Sequence, residues 1–494
     1  MNIGEQLLNV IKSVDFENVF VIDSNKKTKY AYGKFFYECI MLSEEIECQS
    51  NSDTIVAILE NGYTLFKLYF VAMLLNKDIV VIDPLKGASE INELTAGMEQ
   101  GLLIQEDNVN VENPLLMKLD KSTFEKYETA SDTVGKDLVL DRFKKIDFYK
   151  TYLTTFTSGT SGVTKGVQHS LENILSTAFA FQKASSEDRG SCFLHVMPMT
   201  YMAGILNSIF LPFVMQEKIV LGKRFDVRGA ITFWKTVKEY EVDTFWLSPT
   251  MLTMIEQVDR GSVGEEYCNK KKLCFWIGTA ALTEKIRTQF EGRYGVPLNA
   301  SYGLSETLFV SVENERTRAV SEKNSVGTLL EGVEYQIEND GELLLYVPWM
   351  YKGYTNEDDK EYFSGKYYRT GDLVKIKDNI LYIIGRKKEL IIKGGLNISP
   401  VRIEECVNRI EGVRENAVFG MSNTLGEEVT CCAYVIDKEI SVSDIEAAIN
   451  RKVIAELGKN YKIDEFLNVK QLPRNINGKV DKNELKKRRV ANDS

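Results

Sequence analysis

The sequence predicts an α/β protein with a large N-terminal domain, in which sheets are flanked by helices, and a small α+β C-terminal domain. Through the first 310 residues, strand-like apolar runs alternate with helix-like runs, a rhythm typical of parallel or mixed sheets covered by helices. Residues 326–384 change to short strands and turns, and amphipathic helical patterns return after residue 385. We therefore predict two domains, residues 1–385 and 386–494.

The predicted elements can be followed along the chain. Before residue 150, the runs NVFVID, TIVAILE and DIVVIDP predict strands, whereas GKFFYECIMLSEEI and GYTLFKLYFVAMLL predict helices. Between residues 151 and 310, further strands are predicted at SCFLHVMP, KIVLG, DTFWLSP and LCFWIGT. In the C-terminal domain, SPVRIEECVNRI and SVSDIEAAINRKVIAEL predict amphipathic helices around the strands NAVFGM and VTCCAYVID.

Composition places the chain among soluble globular proteins. It has 494 residues, 44% of them hydrophobic and 27% charged, and no run of about 18 apolar residues that would span a membrane. The most apolar segment, LFKLYFVAMLL, contains Lys67 and is too short, so it predicts a buried helix. The N-terminus lacks the basic start and uninterrupted apolar run of a secretory signal, which favours a cytoplasmic location.

The net charge and the counts of cysteine and histidine exclude several kinds of binding and catalytic site. A net charge of −10 argues against a nucleic-acid binder, because that function requires a basic surface. The eight cysteines show no Cys-x-x-Cys spacing, so we expect buried reduced thiols rather than a zinc site or disulfides. The two histidines, His169 and His195, are too few for multi-histidine metal sites. Acidic residues, lysines and backbone groups are therefore expected to carry any catalysis.

A glycine- and hydroxyl-rich stretch, TFTSGTSGVTKGVQHS, runs from Thr155 to Ser170. It follows a β-branched run and precedes a run with helical spacing, so we predict a loop between a strand and a helix. Glycines allow backbone N–H groups to converge, hydroxyls add donors, and Lys165 supplies a positive charge, which suits a phosphate. The nucleotide P-loop pattern is absent, since Thr164 precedes this lysine and Gly166 follows it.

Six motifs together resemble those of the adenylate-forming superfamily, which includes the acyl-CoA synthetases, the adenylation domains of peptide synthetases and luciferases. The resemblance covers nearly the whole chain, and the motifs stand in family order. It implies the fold of that superfamily, with a β-barrel-like segment in the large domain and a mobile small domain. The motifs are VAILENGYTLFKLYFVAMLLNKDIVVIDP, FTSGTSGVTKGV, SYGLSET, YRTGDL, GRKKELIIKGGLNISPVRIEE and LPRNINGKVDKNEL.

The resemblance implies a two-step reaction. A carboxylic acid reacts with ATP to give an acyl adenylate and pyrophosphate, and a phosphopantetheine thiol then displaces AMP. The expected cofactors are ATP, Mg²⁺ and either CoA or the phosphopantetheine of a carrier protein. Residues implied to bind ATP are Thr157, Ser158, Gly159, Thr160, Ser161, Gly162, Lys165, Gly278, Thr279, Ala280, Ser301, Tyr302, Gly303, Ser305, Asp372, Arg386 and Lys479.

Individual roles follow from the same resemblance. Lys165 would contact the β- and γ-phosphates, and Thr164 replaces the usual proline in that loop. Tyr302 would stack on adenine, and Glu306, with Thr160, would ligate magnesium, for which a hard carboxylate is suited.

The remaining implied roles lie nearer the C-terminus. The Asp372 carboxylate would accept hydrogen bonds from the ribose, joined by Arg386. Lys479 would stabilise charge on the α-phosphate in the transition state, so Lys165, Glu306 and Lys479 are the predicted catalytic residues. Lys388 is the implied hinge between the domains. Rotation about it would bring Gly394 and Gly395 to the thiol side.

The sequence says less about which acid is the substrate and which thiol is the acceptor than it does about the reaction. Tyr201 stands where peptide-synthetase domains carry an aspartate for the α-amino group, which disfavours amino acids. The predicted acid pocket suits an apolar or aromatic acid and contains Tyr201, Gly204, Ile205 and Trp246, although Trp246 could equally be core. CoA is the expected acceptor. A carrier-protein ligase and a nucleotide-binding module without catalysis are the alternatives, and we expect no nucleic-acid partner and no membrane span.

Overall fold

A computed structural model of the protein describes most of the chain. The described residues are 2–120, 122–128, 132–158, 164–185, 190–321, 324–355, 358–393, 396–422, 428–436, 441–474 and 479–492.

The first part of the chain supplies the outer helices and one central sheet. Its elements are α1 (Ile3–Ser13), β1 (Val19–Asp23), β2 (Thr28–Ala31), α2 (Tyr32–Gln49), β3 (Thr54–Ile58), α3 (Tyr63–Leu75), β4 (Asp78–Val81), α4 (Ala88–Ala96), β5 (Gly101–Gln105), β6 (Leu116–Lys118), α5 (Ser122–Glu125), α6 (Lys136–Phe143), β7 (Thr151–Ser158), β8 (Thr164–Ser170) and α7 (Leu171–Ala184).

The second part adds a parallel layer. Its elements are β9 (Cys192–His195), α8 (Met202–Ile205), a π-helical turn (Leu206–Phe210), α9 (Leu211–Val214), β10 (Lys218–Leu221), α10 (Val227–Glu239), β11 (Thr244–Leu247), α11 (Pro249–Val258), α12 (Val263–Cys268), β12 (Cys274–Ile277), α13 (Glu284–Tyr294), β13 (Leu298–Leu304), β14 (Leu308–Val312) and α14 (Glu315–Val320).

The third part is mostly strands until the C-terminal helices. Its elements are β15 (Ser325–Leu329), β16 (Glu334–Ile337), β17 (Glu342–Tyr346), β18 (Gly353–Tyr354), β19 (Phe363–Ser364), β20 (Tyr367–Lys377), β21 (Ile380–Arg386), β22 (Ile391–Lys393), β23 (Leu396–Ile398), α15 (Pro400–Asn408), β24 (Val413–Ser422), β25 (Glu428–Ile436), α16 (Val442–Leu457), β26 (Glu465–Asn468) and α17 (Lys482–Asn492), with 3₁₀ turns at Lys360–Tyr362, Lys387–Glu389 and Lys459–Tyr461.

Two large sheets organise the N-terminal part. One has the strand order β18-β8-β7-β4-β3-β5-β6, in which β7, β4, β3, β5 and β6 run parallel. The other runs β16-β17-β20-β21-β15-β14-β13-β12-β11-β9-β10-β1-β2, with β19 paired to β20. Its centre is parallel, and from β13 onward its strands are antiparallel. Within this antiparallel run, β15 to β17 and β19 to β21 correspond to the predicted segment of short strands and turns at residues 326–384. The alternation of strands and helices in the sequence therefore predicted the architecture correctly.

The C-terminal unit has its own core around the sheet β24-β25-β26. Helices α15 and α16 bury Ile403, Cys406 and Ile449 against Cys432 on β25. The predicted helices and strands of this unit are confirmed at α15, α16, β24 and β25. The domain boundary at residue 385 stays a prediction.

Helix α3 confirms the expected buried helix. Its side chains are apolar almost all round and buried, and Lys67 within it has 0% exposure. The Lys67 ammonium lies 2.8 Å from Glu38 Oε2 and 3.1 Å from Glu128 Oε1, so the buried charge is paired, as burial requires. Among the residues described, none of the helices has the length and apolar character needed to cross a membrane.

The glycine-rich stretch differs from the prediction. Instead of one loop from Thr155 to the helix, β7 and β8 form an antiparallel hairpin, and β8 leads directly into α7. Strand β8 is hydrogen-bonded on both sides, to β7 and to β18. These tertiary contacts override the weak strand propensity of TKGVQHS. Ser170 then caps the predicted helix α7 through a capping box with Asn173.

The cysteines are free thiols, as expected. Six of them are buried, Cys268 is half-buried, and Cys48 at the end of α2 is exposed. Burial raises the pKa of several, for example to about 11 for Cys406 and to about 12 for Cys192, so these thiols are protonated at neutral pH.

Candidate active site

The hairpin of β7 and β8 carries the predicted phosphate-binding lysine. Thr157 pairs with Lys165, and Ser158 with Thr164, in the backbone register of the two strands. The predicted ligands Gly159, Thr160, Ser161 and Gly162 lie outside the described residues, as does the Ser158 side chain. Thr164, which replaces the proline usual in the superfamily, is the first residue of strand β8.

Lys165 lies among tyrosines from residues 351–368. Its Nζ donates a hydrogen bond to the Tyr362 hydroxyl and is 4.2 Å from the centre of that ring. The same Nζ is 5.0 Å from the centre of the Tyr354 ring. The ring faces attract a cation, so the tyrosines hold Lys165 near the N-terminal end of β8.

Glu306 lies in the tight turn between β13 and β14. Its Oε1 accepts a hydrogen bond of 2.7 Å from the Tyr354 hydroxyl. The backbone of the turn is fixed separately, because the Glu306 carbonyl accepts from Tyr351 N at 3.0 Å and the Ser305 carbonyl contacts His169 Nε2 at 2.7 Å. The carboxylate is thus a single acidic group on a rigid turn, next to the tyrosines that contact Lys165.

The other predicted residues of β13 are structural neighbours of this turn. Ser301 Oγ donates to the Ser311 carbonyl at 2.8 Å. Gly303 lies at a bulge in the pairing with β14, where a Cβ would be 2.0 Å from the Leu308 carbonyl oxygen. A side chain at position 303 would therefore push apart the two strands that carry Glu306.

A second cluster forms around Asp372, which is 2% exposed. Its Oδ2 accepts from the Tyr302 hydroxyl at 2.6 Å, and its Oδ1 accepts from Arg386 Nε at 2.7 Å. Asp372 and Arg386 are directly opposite each other in the pairing of β20 with β21. Burial, together with the Asp372 carboxylate, raises the pKa of Tyr302 well above its usual value, so this phenol remains a donor. Three residues from three separate motifs are therefore joined in one network.

Lys479 from the C-terminal unit faces this second cluster. Burial and the nearby Arg386 cation lower the pKa of Lys479, whereas Asp372 and Glu389 act in the opposite direction. The residue as a whole is solvent-exposed. An ammonium group beside another cation favours a bound anion, since an anion would relieve their mutual repulsion.

The C-terminal unit is held in this orientation by polar contacts. Lys285 Nζ donates to the Val413 carbonyl at 2.6 Å, and Arg474 Nη1 donates to Thr250 Oγ1 at 3.1 Å. Within the C-terminal unit itself, Arg474 Nη2 also donates to Glu415 at 2.7 Å. These contacts are polar and partly exposed, which is typical of an interface that can separate.

The linker between the two parts contains the predicted hinge. Lys388 is exposed, in the 3₁₀ turn that directly follows β21. Gly394 and Gly395, the predicted thiol-side residues, lie outside the described residues.

The segment after β12 shows backbone strain. Thr279 has φ +69°, and its Oγ1 is buried without a hydrogen-bond partner among the described residues. A β-branched residue rarely adopts this conformation, which glycine accepts readily. Gly278 is buried and Ala280 is exposed, so the chain emerges at the surface here. Threonine at position 279 is therefore held in a strained backbone conformation.

The predicted acid-pocket residues lie in two environments. Tyr201 is half-buried, and the backbone N–H groups of Gly204 and Ile205 donate to its carbonyl at 2.8 and 3.0 Å. Trp246 is 1% exposed and packs against Phe181 and Phe309, so it forms part of the core.

His195 contacts the helical turn that contains Gly204. Its Nε2 lies 2.9 Å from the Gly204 carbonyl. Burial lowers the pKa of His195 to about 4, so the imidazole is neutral and Nε2 carries the proton. Sequence reasoning left both histidines without a role, yet His169 and His195 each fix one wall of the candidate site.

Sequence reasoning also missed the tyrosines around Lys165 and Glu306. Tyr354 and Tyr362 contact these residues directly, and the hydroxyl of Tyr368 is 3.2 Å from that of Tyr354. The signal available was the density of tyrosines in YKGYTNEDDKEYFSGKYYRTGD. Nothing in that segment alone indicates which of them point inward.

Matches to two family models identify the class of protein to which this fold and these clusters belong. The model of the AMP-binding enzyme family matches residues 17–355, and that of the AMP-binding enzyme C-terminal domain matches residues 402–479. The chain belongs to the AMP-binding enzyme family, which confirms the resemblance to the adenylate-forming superfamily.

Three characterised relatives show how far the likeness extends. The chain is 30% identical over 369 residues to the malonate–CoA ligase of Arabidopsis thaliana, covering 68% of this chain and 60% of that protein. It is 28% identical over 349 residues to the sulfoacetate–CoA ligase of Cupriavidus necator, covering 67% and 66%, so the match spans less than two thirds of either relative. It is 26% identical over 397 residues to the 2-succinylbenzoate–CoA ligase of Bacillus subtilis, covering 74% and 77%.

Solved structures support the fold over the whole chain. The ATP-bound MatB of Rhodopseudomonas palustris superposes with a TM-score of 0.81 at 20% identity, covering 99% of both chains. The o-succinylbenzoate CoA synthetase of Bacillus subtilis in complex with AMP superposes with a TM-score of 0.79 at 21% identity, covering 97% of this chain and 98% of that one. The predicted fold class is confirmed.

Proposed function

We propose that this protein is an AMP-forming acid–CoA ligase. In the first step a carboxylate oxygen of the acid attacks the α-phosphorus of ATP, and the bond to the β-phosphate oxygen breaks, giving an acyl adenylate and pyrophosphate. In the second step a thiol sulfur attacks the acyl carbonyl carbon and AMP leaves. Family membership and the names of the relatives support this activity.

The observation that carries the proposal is the meeting of five separate motifs in two linked clusters. Tyr302 and Glu306 lie four residues apart at the end of β13, and each belongs to a different cluster. Tyr368 and Asp372 lie four residues apart on β20. Tyr368 belongs to the cluster of Glu306, and Asp372 belongs to the cluster of Tyr302. The Lys165–Glu306 cluster therefore lies next to the Asp372–Arg386–Lys479 cluster, which matches a ligand with phosphates at one end and a ribose at the other.

Each cation has a distinct part in the proposed first step. Lys165 would stabilise the negative charge that builds on the leaving pyrophosphate. Lys479 would stabilise the α-phosphate and the incoming carboxylate, where charge accumulates in the transition state. Asp372 would orient the nucleotide through its ribose, since an ionised carboxylate is a strong acceptor.

The residues present fit a magnesium ion held jointly with ATP. Within the described part of the chain, no group of three or more acidic, histidine or cysteine side chains could hold a metal ion. Mg²⁺ in nucleotide sites is usually bound by one or two carboxylates together with phosphates, and Glu306 supplies one such carboxylate. When bound, the ion would neutralise phosphate charge.

The second step is proposed to require a different orientation of the C-terminal unit, with Lys388 as the pivot. Residues 1–385 and 386–494 would then act as the two moving domains. Lys388→Pro fixes φ at this position and is expected to spare adenylate formation while stopping thioester formation. If both steps fell equally, the two-orientation proposal would be wrong.

The identity of the acid is tested by pyrophosphate exchange into ATP across a panel of carboxylic acids. Tyr201 places a hydroxyl and a ring, with no fixed negative charge, on the predicted pocket, so amino acids are expected to be poor substrates. The panel includes aromatic and aliphatic acids, and also malonate, sulfoacetate and 2-succinylbenzoate, because relatives are named for these. Exchange with none of the acids would favour a nucleotide-binding module without catalysis.

Lys479→Ala is the decisive variant for the active site. It is expected to lower acid-dependent exchange at least about a hundredfold, because a preorganised charge that stabilises the transition state is removed. The control is Lys470→Ala, which removes another exposed lysine of the same unit. Retained exchange in the Lys479 variant would contradict the role proposed for this residue.

The acceptor is tested by competition between CoA and a pantetheinylated carrier protein in the complete reaction. Thioester formation that saturates with CoA at micromolar to millimolar concentrations supports the CoA ligase. Thioester formed on the carrier protein alone would support a carrier-loading ligase instead.

A further inference from the structure

Tyr354 contacts both a predicted phosphate ligand and a predicted metal ligand. Its hydroxyl donates to Glu306 Oε1 at 2.7 Å, and its ring centre lies 5.0 Å from Lys165 Nζ. The short strand β18 fixes this position, because it pairs with β8 in a register that sets Tyr354 opposite Val167, two residues after the lysine. A single side chain thus bridges β8, which carries the lysine, and the turn that carries the carboxylate.

The backbone of the Glu306 turn does not depend on Tyr354. His169 holds the Ser305 carbonyl, and Tyr351 N holds the Glu306 carbonyl. Trp349 Nε1 donates to the Thr307 carbonyl at 3.0 Å. Loss of the Tyr354 hydroxyl would therefore leave the turn in place and release only the Glu306 carboxylate.

The Tyr354 hydroxyl is itself held as a donor. It lies 3.2 Å from the hydroxyl of Tyr368. A phenol is ordinarily protonated at neutral pH, so the Tyr354 hydroxyl can donate to the Glu306 carboxylate. A protonated phenol donating to a carboxylate is a charge-assisted hydrogen bond, which fixes the direction of the acceptor as well as its position.

We propose that Tyr354 is a positioning residue, which orients the Glu306 carboxylate towards a magnesium ion and holds Lys165 beside it, so that both act on one bound ATP–magnesium complex. The inference rests on the function proposed above, since it assigns the partner of that site. Side chains that orient metal ligands typically contribute a factor of about 10 to 100 in metal affinity.

The test is Tyr354→Phe, which keeps the ring and removes the hydroxyl. ATP binding is measured by calorimetry over a series of magnesium chloride concentrations. The concentration for half-maximal binding is expected to rise about tenfold, with a parallel shift in pyrophosphate exchange. The KM for the acid is expected to stay within about twofold, because the lost contact is not to the acid.

Two matched variants separate this effect from the loss of any tyrosine hydroxyl. Tyr335→Phe removes an exposed hydroxyl on the edge strand β16 and is expected to leave the magnesium requirement unchanged. Tyr362→Phe removes the hydroxyl that accepts from Lys165 without touching Glu306, so it is expected to change ATP binding but not its dependence on magnesium.

A magnesium requirement of Tyr354→Phe within about twofold of the wild type overturns the inference, whatever happens to kcat or stability. If this variant does not fold, Tyr368→Phe tests the same network, because it removes the hydroxyl that lies 3.2 Å from that of Tyr354 and that also interacts with Glu306, with a smaller expected shift of about threefold. An unchanged requirement there also overturns the inference. A wild-type protein that binds no ATP at any magnesium concentration would contradict the proposed function itself.

Discussion

The two buried histidines predict a specific loss of stability at acidic pH. Burial lowers the pKa of His169 and of His195 from 6.5 to about 4. Each is neutral in the folded protein and takes up a proton more readily when unfolded, so stability is full above pH 6.5 and falls as the pH drops towards 4. The difference between these two pKa values corresponds to about 3 kcal/mol of the free energy of unfolding for each histidine. About 2 kcal/mol of this is lost at pH 5.

The perturbation is the double variant His169→Gln/His195→Gln. Glutamine can still donate to the Ser305 and Gly204 carbonyls that the imidazoles contact, but it does not titrate. The free energy of unfolding is measured by urea titration with tryptophan fluorescence, at pH 7.5 and at pH 5. The wild type is expected to lose about 4 kcal/mol more than the double variant between these conditions. Each single variant is expected to account for about half of that difference.

The comparison between variants is needed because another buried group acts in the opposite direction. Burial raises the pKa of Asp78 to about 6, so protonation of this carboxyl favours the folded state as the pH falls below 6. Asp78→Asn removes that opposing contribution and is expected to steepen the pH dependence. The chain has only two histidines, so no other imidazole can mask the effect. Equal losses in the wild type and the double variant would refute the reasoning.

Three further outcomes are expected. Thr279→Gly should raise the free energy of unfolding by about 1 kcal/mol in urea titrations, because it relieves the strain at φ +69°; an equal or lower value would show that the threonine is not strained. Gly204→Ala should lower it by at least about 3 kcal/mol, since the new Cβ would be 1.8 Å from a carbonyl oxygen, whereas Gly292→Ala, with nothing within 4 Å, should be neutral or stabilising. Asp372→Asn should weaken ATP binding in calorimetry about tenfold, because one of its two donors must then face an amide NH₂; unchanged affinity would contradict its role.

Most of the fold could be predicted from the sequence because its elements are marked locally. Alternating apolar and amphipathic runs identified α2, α3 and the strands β9 to β12 without knowledge of their partners. The candidate site was predictable where a motif carries its own chemistry, as with Lys165, Glu306 and Asp372.

The glycine-rich stretch shows where local reasoning fails. Residues 164–170 have few of the marks of a strand, yet they form β8 because β7 and β18 offer hydrogen bonds on both sides. Strand formation of this kind depends on neighbours that are distant in the sequence, and β18 lies more than 180 residues away.

By itself the sequence determined the class of protein, the order of its elements and the residues that can bear charge. Only the tertiary structure decided which side chains meet: that Tyr354 joins Glu306 to Lys165, that the buried His169 and His195 support the walls of the site, and that Lys479 faces Asp372 across the two parts of the chain. The physical reason is that motifs specify chemical groups, whereas distances and pKa shifts arise from packing between segments far apart in the chain.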